Sequence, residues 1–276
     1  MCKNKIRICI IIIVGCLIFF NITSHPIVVK KDTNTKEVES CIVKFEDFGA
    51  ENFTCTGLTW DEKDNAFWIG DYGSLDAVGM PSPQVIKVSG DLSKIEDSID
   101  LSNLLHSDAN LQGIAYDNTT DSLWLAVGES IVNISKFGEI LNEFNLGKYS
   151  KYLANGICVD GSDNTLWVLC YSEYLLHYEK DGSLIEKYSF NYENQDQICL
   201  KDDIILVTVG ADYTGDDNYV MSFDKCTGKI SVLYQIKTAY AIEGICSLGN
   251  NIYITNDGYY HNAQINESYI CIFESN

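Results

Sequence analysis

Arginine is almost missing from this chain: the only one, Arg7, lies in the first few residues, and every other cation is a lysine. Acids outnumber bases 39 to 19, for a net charge of −20. Setting aside residues 1–24 removes three cations and no acid, which leaves 16 lysines against 39 acids and a net charge of −23. A strongly acidic surface without guanidinium groups repels nucleic acid and anionic lipid and cannot clamp phosphate with a bidentate fork, so those partners are excluded. Cations and neutral or basic ligands stay open, and so does the simpler reading in which acidity only keeps the domain soluble.

Other signatures are absent too. No CxxC pair and no His/Cys ligand spacing occurs, which counts against a zinc site of that kind. There is no GxSxG, and no serine is marked by spacing as a nucleophile. Long apolar runs are missing except one, from Ile8 to Phe20, preceded by Lys3, Lys5 and Arg7. Its 13 residues span about 20 Å as a helix. That is short of the ~30 Å hydrocarbon core, so residues 1–24 read as an export signal first and a retained membrane anchor second, with a lipobox-like IVGC at Cys16 as a third reading. Residues 25–40 are polar and read as a tether, which places the domain outside the cytoplasm, secreted or anchored, with membrane contact only through the N-terminal segment.

The remaining chain is 41–276, and overall 46% of residues are hydrophobic and 12% aromatic, a composition that packs a globular core. It is built from a repeat. TGLTWDEKDNAFWIGD (56–71), QGIAYDNTTDSLWLAV (112–127) and NGICVDGSDNTLWVLC (155–170) share one frame, with 11 positions from Gly57 to Trp68, Gly113 to Trp124 and Gly156 to Trp167. DQICLKDDIILVTV (196–209) and EGICSLGNNIYITND (243–257) are weaker copies; the first lacks the glycine and the second has Tyr253 in place of tryptophan. Each copy reads as a hairpin followed by two more β-rich runs, so the units are four-stranded propeller blades. The last unit lacks a fourth strand, and SCIVKFEDF, ahead of the first repeat, supplies one; closing the ring this way removes exposed edges. The expectation is an all-β propeller of five four-stranded blades, with six as the alternative, and a monomer.

The same frame accounts for the thiols. Cys158, Cys199 and Cys246 share a repeat position with Thr59 and Ala115 and act as small packing groups, too far apart to pair with one another. Cys41 and Cys271 fall on the two closing strands and are the one candidate disulfide, against which register sets Cys41 nearer Phe273. Trp68, Trp124 and Trp167 are layers between blades and His177 is structural. NxS/T sequons at Asn52, Asn118, Asn133 and Asn266 matter only in a host that glycosylates.

Function is read from one end of the ring. The first strand of each blade lines the axis, so the residues opening the repeats, Thr56, Gln112, Asn155, Asp196 and Glu243, meet at one channel mouth. Long Tyr- and Asp-rich loops overhang that face from blades one, four and five, bringing Asp71, Asp212, Asp257, Tyr259 and His261, while His106 precedes blade two. Glu243, Asn155, Asp257 and Asp71 are candidate metal ligands, because hard cations such as calcium prefer carboxylate and amide oxygen. The alternative is that these groups only hydrogen-bond channel water. Thr56, Gln112, Asp196, Asp212 and Tyr259 are candidate ligand contacts, and His261 and His106 candidate acid–base groups.

A polar opener, GI or GL, an Asp and a Trp-bearing second strand resemble the SMP-30/gluconolactonase, strictosidine-synthase-like and NHL propellers, and the SdiA-regulated propellers, over residues 41–274. The resemblance implies a calcium-dependent site in which Glu243 of EGI, Asn155 of NGI and Asp257 of TNDG match the family's Glu, Asn and Asp. It differs in placing the EG motif in the last blade and in having five blades where SMP-30 relatives have six. Two functions follow as expectations. One is a binding module whose acidic mouth recognises a small molecule, peptide or protein; the other is a metal-dependent hydrolase of lactones or esters.

Overall fold

The computed structural model describes residues 26–50, 53–72, 83–102, 104, 110–147, 153–171, 173–210, 213–215 and 217–275. The leader, His106 and Asp212 lie outside the described residues. Among those described, no helix is long and apolar enough to cross a membrane.

Two short strands come first, β1 (Lys36–Val38) and β2 (Cys41–Lys44). Blade one is β3 (Cys55–Asp61), β4 (Ala66–Asp71), β5 (Gln84–Ser89) and β6 (Ile95–Asp100). Blade two is β7 (Leu111–Asp117), β8 (Ser122–Val127), β9 (Ser130–Ser135) and β10 (Ile140–Asn145). Blade three is β11 (Ala154–Asp160), β12 (Thr165–Cys170), β13 (Tyr174–Glu179) and β14 (Leu184–Ser189). Blade four is β15 (Gln195–Lys201), β16 (Ile204–Gly210), β17 (Asn218–Asp224) and β18 (Ile230–Ile236), and blade five is β19 (Ile242–Leu248), β20 (Asn251–Asp257) and β21 (Ser268–Glu274). The chain is a five-bladed propeller, and β2 completes blade five by pairing antiparallel with β21. The innermost strands touch in a closed ring, β3 to β7 to β11 to β15 to β19 and back to β3.

Two features depart from the sequence reading. Residues 26–40 are held on the ring: Ile27 bridges to Tyr192, and β1 pairs parallel with β18 as a fifth strand on blade four. The apolar anchors are Val29 and Val38, which pack against the cores on either side of blade four, and the polar residues between them mask this pattern. In the closing pair Cys41 stands opposite Ile272 and Ile42 opposite Cys271, so Cys41 is exposed where Cys271 is buried, and none of the eight described cysteines is in a disulfide.

The repeat's glycine is a spacing device between blades. A Cβ on Gly113 would stand 2.5 Å from the Asn155 carbonyl oxygen, and one on Gly244 would stand 2.5 Å from that of Thr56. Both obstacles are backbone and cannot swing aside. Gly113→Ala is therefore expected to destabilise the fold by about 1–3 kcal/mol or more, read as a lower midpoint in urea.

At the opposite end of the channel the repeat's aspartate latches neighbouring blades. Asp61 and Asp117, both fully buried, accept the indole N–H of Trp68 (3.1 Å) and Trp124 (3.2 Å) of their own blades. Each also receives a lysine from the outer hairpin of the next blade, Lys136 on Asp61 at 2.7 Å and Lys180 on Asp117 at 2.5 Å. Asp160 receives Lys225 in the same way. Its own Trp167 has a buried Nε1 without a partner among the described residues and stacks on His177 instead, centroids 4.1 Å apart. Blades four and five carry Lys201 and Leu248 at this position, so the latch runs through only part of the ring.

Candidate functional site

A β-bulge marks the start of every innermost strand. Register slips between Cys55 and Leu58, Leu111 and Gly113, Ala154 and Gly156, Gln195 and Ile198, and Ile242 and Ile245. A bulge re-aims the residue it carries, and the residue at each is a repeat opener. Thr56, Gln112, Asn155, Asp196 and Glu243 consequently line one pit of about 200 Å³, together with Thr54, Cys55, Tyr72, Asp257, Tyr260 and His261.

In blades four and five a threonine sits opposite the bulge and braces it. Thr208 Oγ1 accepts from Gln197 N–H (2.8 Å) and lies 3.2 Å from the Glu243 carbonyl, to which it donates. Thr255 Oγ1 accepts from Gly244 N–H (2.6 Å) and donates to the Thr56 carbonyl (2.8 Å). The backbone under Glu243 is thus fixed from both sides. Gln197 replaces the repeat's glycine, and its amide crosses the channel to donate to the Gln112 and Asn155 carbonyls, both at 2.6 Å. A second cavity of about 280 Å³ is walled by residues further along the same strands, among them Ile114, Ile157, Ile198, Cys158 and Cys246.

Within the pit, Glu243, Asp257 and His261 bring one ligand atom each to within 4.8 Å of one another. His261 Nε2 lies 3.5 Å from Glu243 Oε1, and Asn155 Nδ2 donates to Asp196 Oδ1 at 3.4 Å. Asp257 ends β20, where Ser268 Oγ approaches its Oδ1 at 3.5 Å and Tyr260 N–H at 3.4 Å. Among the described residues, no lysine lines the pit. Thr56 Oγ1 is buried there without a partner among the described residues.

Burial in this unneutralised setting favours the protonated acids. It pushes Asp196 and Glu243 well above the usual carboxylate range, and the next largest contribution for each is a neighbouring carboxylate, Glu243 on Asp196 and Asp257 on Glu243. Burial likewise pushes Asp257 up to about 7. An acid with a folded-state pKa above its unfolded value stabilises fully below the unfolded value and loses that contribution as pH rises through the folded one. The ion-free protein is therefore expected to lose stability between about pH 4 and pH 7, the interval set by Asp257, and thermal melts across that range check it.

Other candidates fall elsewhere. Asp71 ends β4, the place that Asp257 occupies in β20, but it is buried outside the pit and accepts from Gln84 Nε2 at 3.2 Å. Tyr259 is 57% exposed and lines a different cleft with Lys44, Phe45 and Glu267, because the turn after β20 sends its neighbours Tyr260 and His261 to the pit instead. Sequence reasoning missed Gln197, Thr208, Thr255, Tyr72, Tyr260 and Tyr213. For Gln197 the signal was present, as the one residue other than glycine at that repeat position.

No protein-family model matches the chain and no curated protein matches it, so the SMP-30 resemblance has no support at the level of sequence. Solved structures do match. A glutaminyl cyclase from Myxococcus xanthus has a TM-score of 0.58 at 12% identity, over 86% of this chain and 98% of that one. A GH43_1 enzyme from Xanthomonas citri, complexed with xylotriose, has a TM-score of 0.58 at 10% identity, over 85% and 90%. A protein of unknown function from Bacteroides caccae has a TM-score of 0.51 at 11% identity, over 82% and 80%. At such identities the likeness shows the propeller fold alone.

Proposed function

We propose that this propeller is a binding module that seats one divalent cation in the acidic pit and presents it to a small ligand bearing oxygen donors. The observation that carries the reading is the convergence of Glu243, Asp257 and His261 in one pit, with no lysine among its described lining residues. Burial and mutual repulsion push Asp196, Glu243 and Asp257 toward their protonated forms, a strain that a dication would relieve, and the Thr56 hydroxyl, without a partner among the described residues, is a further oxygen at the same place. The donor set fits a metal. Calcium is the ion expected from oxygen ligands, but an imidazole beside two carboxylates suits zinc or manganese better. Tyr72 and Tyr260, with ring centroids 6.5 Å apart, form a wall on which a flat or apolar part of the ligand would lie.

Equilibrium dialysis of the full chain against zinc, manganese and calcium tests this reading. One ion per chain, held more tightly as zinc or manganese than as calcium, is the expected result; no retained ion overturns it.

One observation favours hydrolysis as a second reading. Three protein ligands leave coordination positions open, as catalytic sites do, and a bound ion supplies a Lewis acid for a carbonyl or a more acidic water. Two of the matching structures are enzymes, a glutaminyl cyclase and a GH43_1 enzyme. Turnover across a panel of lactones and esters, lost in Glu243→Gln, distinguishes a hydrolase from a binding module.

A further inference from the structure

Tyr213 follows β16 on the blade-four side of the mouth, and no repeat position marks it. Its ring stacks on the imidazole of His261, with centroids 4.5 Å apart and planes inclined by 16°. The backbone joins the same two loops, since Gln264 N–H donates to the Tyr213 carbonyl at 2.7 Å. On another side Tyr260 meets the imidazole edge-on, at 5.1 Å and 86°. His261 itself lies in the turn after β20 with a quarter of its side chain exposed, and its Nε2 faces Glu243 Oε1. A ring in that position has two free torsions unless its faces are covered. Covering them aims Nε2 at the pit before any ion arrives, and preorganisation of this kind is felt as affinity.

We propose that Tyr213 is a positioning residue for the cation site: by stacking on His261 from the neighbouring blade, it holds the imidazole in its ligating orientation. This inference rests on the cation reading of the pit. Its consequence is that the site is complete only when the loops of blades four and five are docked together, so a ligand that contacts either loop alters ion affinity.

The test uses the full chain and cobalt(II), whose visible absorption reports an imidazole ligand, in wild type, Tyr213→Phe, Tyr213→Ala and His261→Ala. Tyr213→Phe keeps the stacked ring and is expected to bind within about twofold of wild type with the same spectrum. Tyr213→Ala is expected to bind about tenfold more weakly, the lower end of the usual cost of losing an orienting group, with a spectrum shifted toward that of His261→Ala. Adding Tyr213→Ala to His261→Ala is expected to do nothing further, since the tyrosine acts through the histidine. Tyr213 is 39% exposed, and thermal melts confirm that each variant is folded. Unchanged affinity and spectrum in Tyr213→Ala overturn this inference alone, as does a full loss on top of His261→Ala. Failure of wild type to bind cobalt, zinc or manganese overturns the cation reading and this inference with it.

Discussion

Asp117→Ala is expected to be among the most destabilising single substitutions in the molecule, at about 3–5 kcal/mol, because it strands a buried partner charge. Lys180 comes from blade three with only 16% of its side chain exposed, and Trp124 Nε1 donates to the same carboxylate. Burial alone would raise the Asp117 carboxyl; Lys180 and Trp124 outweigh it and hold the group below its usual range. At about 2–4 °C per kcal/mol for a chain near this size, the melting temperature falls by roughly 10 °C. Two controls separate this latch from surface charge in general. Asp203→Ala, on the 77% exposed acid 3.7 Å from Lys225, should stay within about 0.5 kcal/mol of wild type. Asp117→Ala combined with Lys180→Met should recover part of the loss, because no unpaired charge is then left inside. An Asp117→Ala melt unchanged from wild type would mean that the blades do not depend on the latch.

The second large effect concerns the mouth. Glu243→Gln keeps the shape of the side chain and removes the charge that faces both Asp257 and His261. In the ion-free protein this should be neutral or stabilising wherever the wild-type group is ionised, since a buried, crowded carboxylate is replaced by a neutral amide. With zinc or manganese present the order reverses. Wild type at an ion concentration near 100 times its dissociation constant gains about 2.7 kcal/mol from binding, and the variant gains little. The crossing of the two stabilities with added ion is the signature; a substitution that merely damaged the fold would lower both. Parallel shifts in the two proteins would count against a ligand role for Glu243.

Much of this architecture is legible in the sequence because its spacing is physical. The repeat's glycine is kept where a Cβ would strike the next blade's backbone, as at Gly113 and Gly244. Its tryptophan is kept where an indole fills the gap between sheets, as at Trp68 and Trp124. The closing strand is legible because blade five ends one strand short. The gathering of five openers at one mouth follows from the ring, although the bulges that turn their side chains inward leave no letter pattern.

What the sequence hides depends on contacts between loops or between unlike blades. Asp71 and Asp257 occupy equivalent strand ends but face different residues on the next strand. Gln84 reaches across to Asp71, whereas Ser268 is short and already donates to the Phe53 carbonyl at 2.6 Å. Tyr213 meets His261 across two loops whose sequences share no frame. The polar stretch ahead of β2 reads as a tether because two apolar anchors, Val29 and Val38, are too few to form a pattern. His261, expected as an acid–base group, stands with Glu243 and Asp257, and under the proposed cation reading an imidazole there favours an ion that accepts nitrogen over calcium.

Anomalous scattering from a crystal of the full chain soaked in manganese or zinc locates the ion without assumptions about activity. The account predicts one strong peak at the channel mouth, within bonding distance of Glu243, Asp257 and His261. A mouth without a peak, or a peak bound elsewhere with those three side chains left untouched, would contradict it.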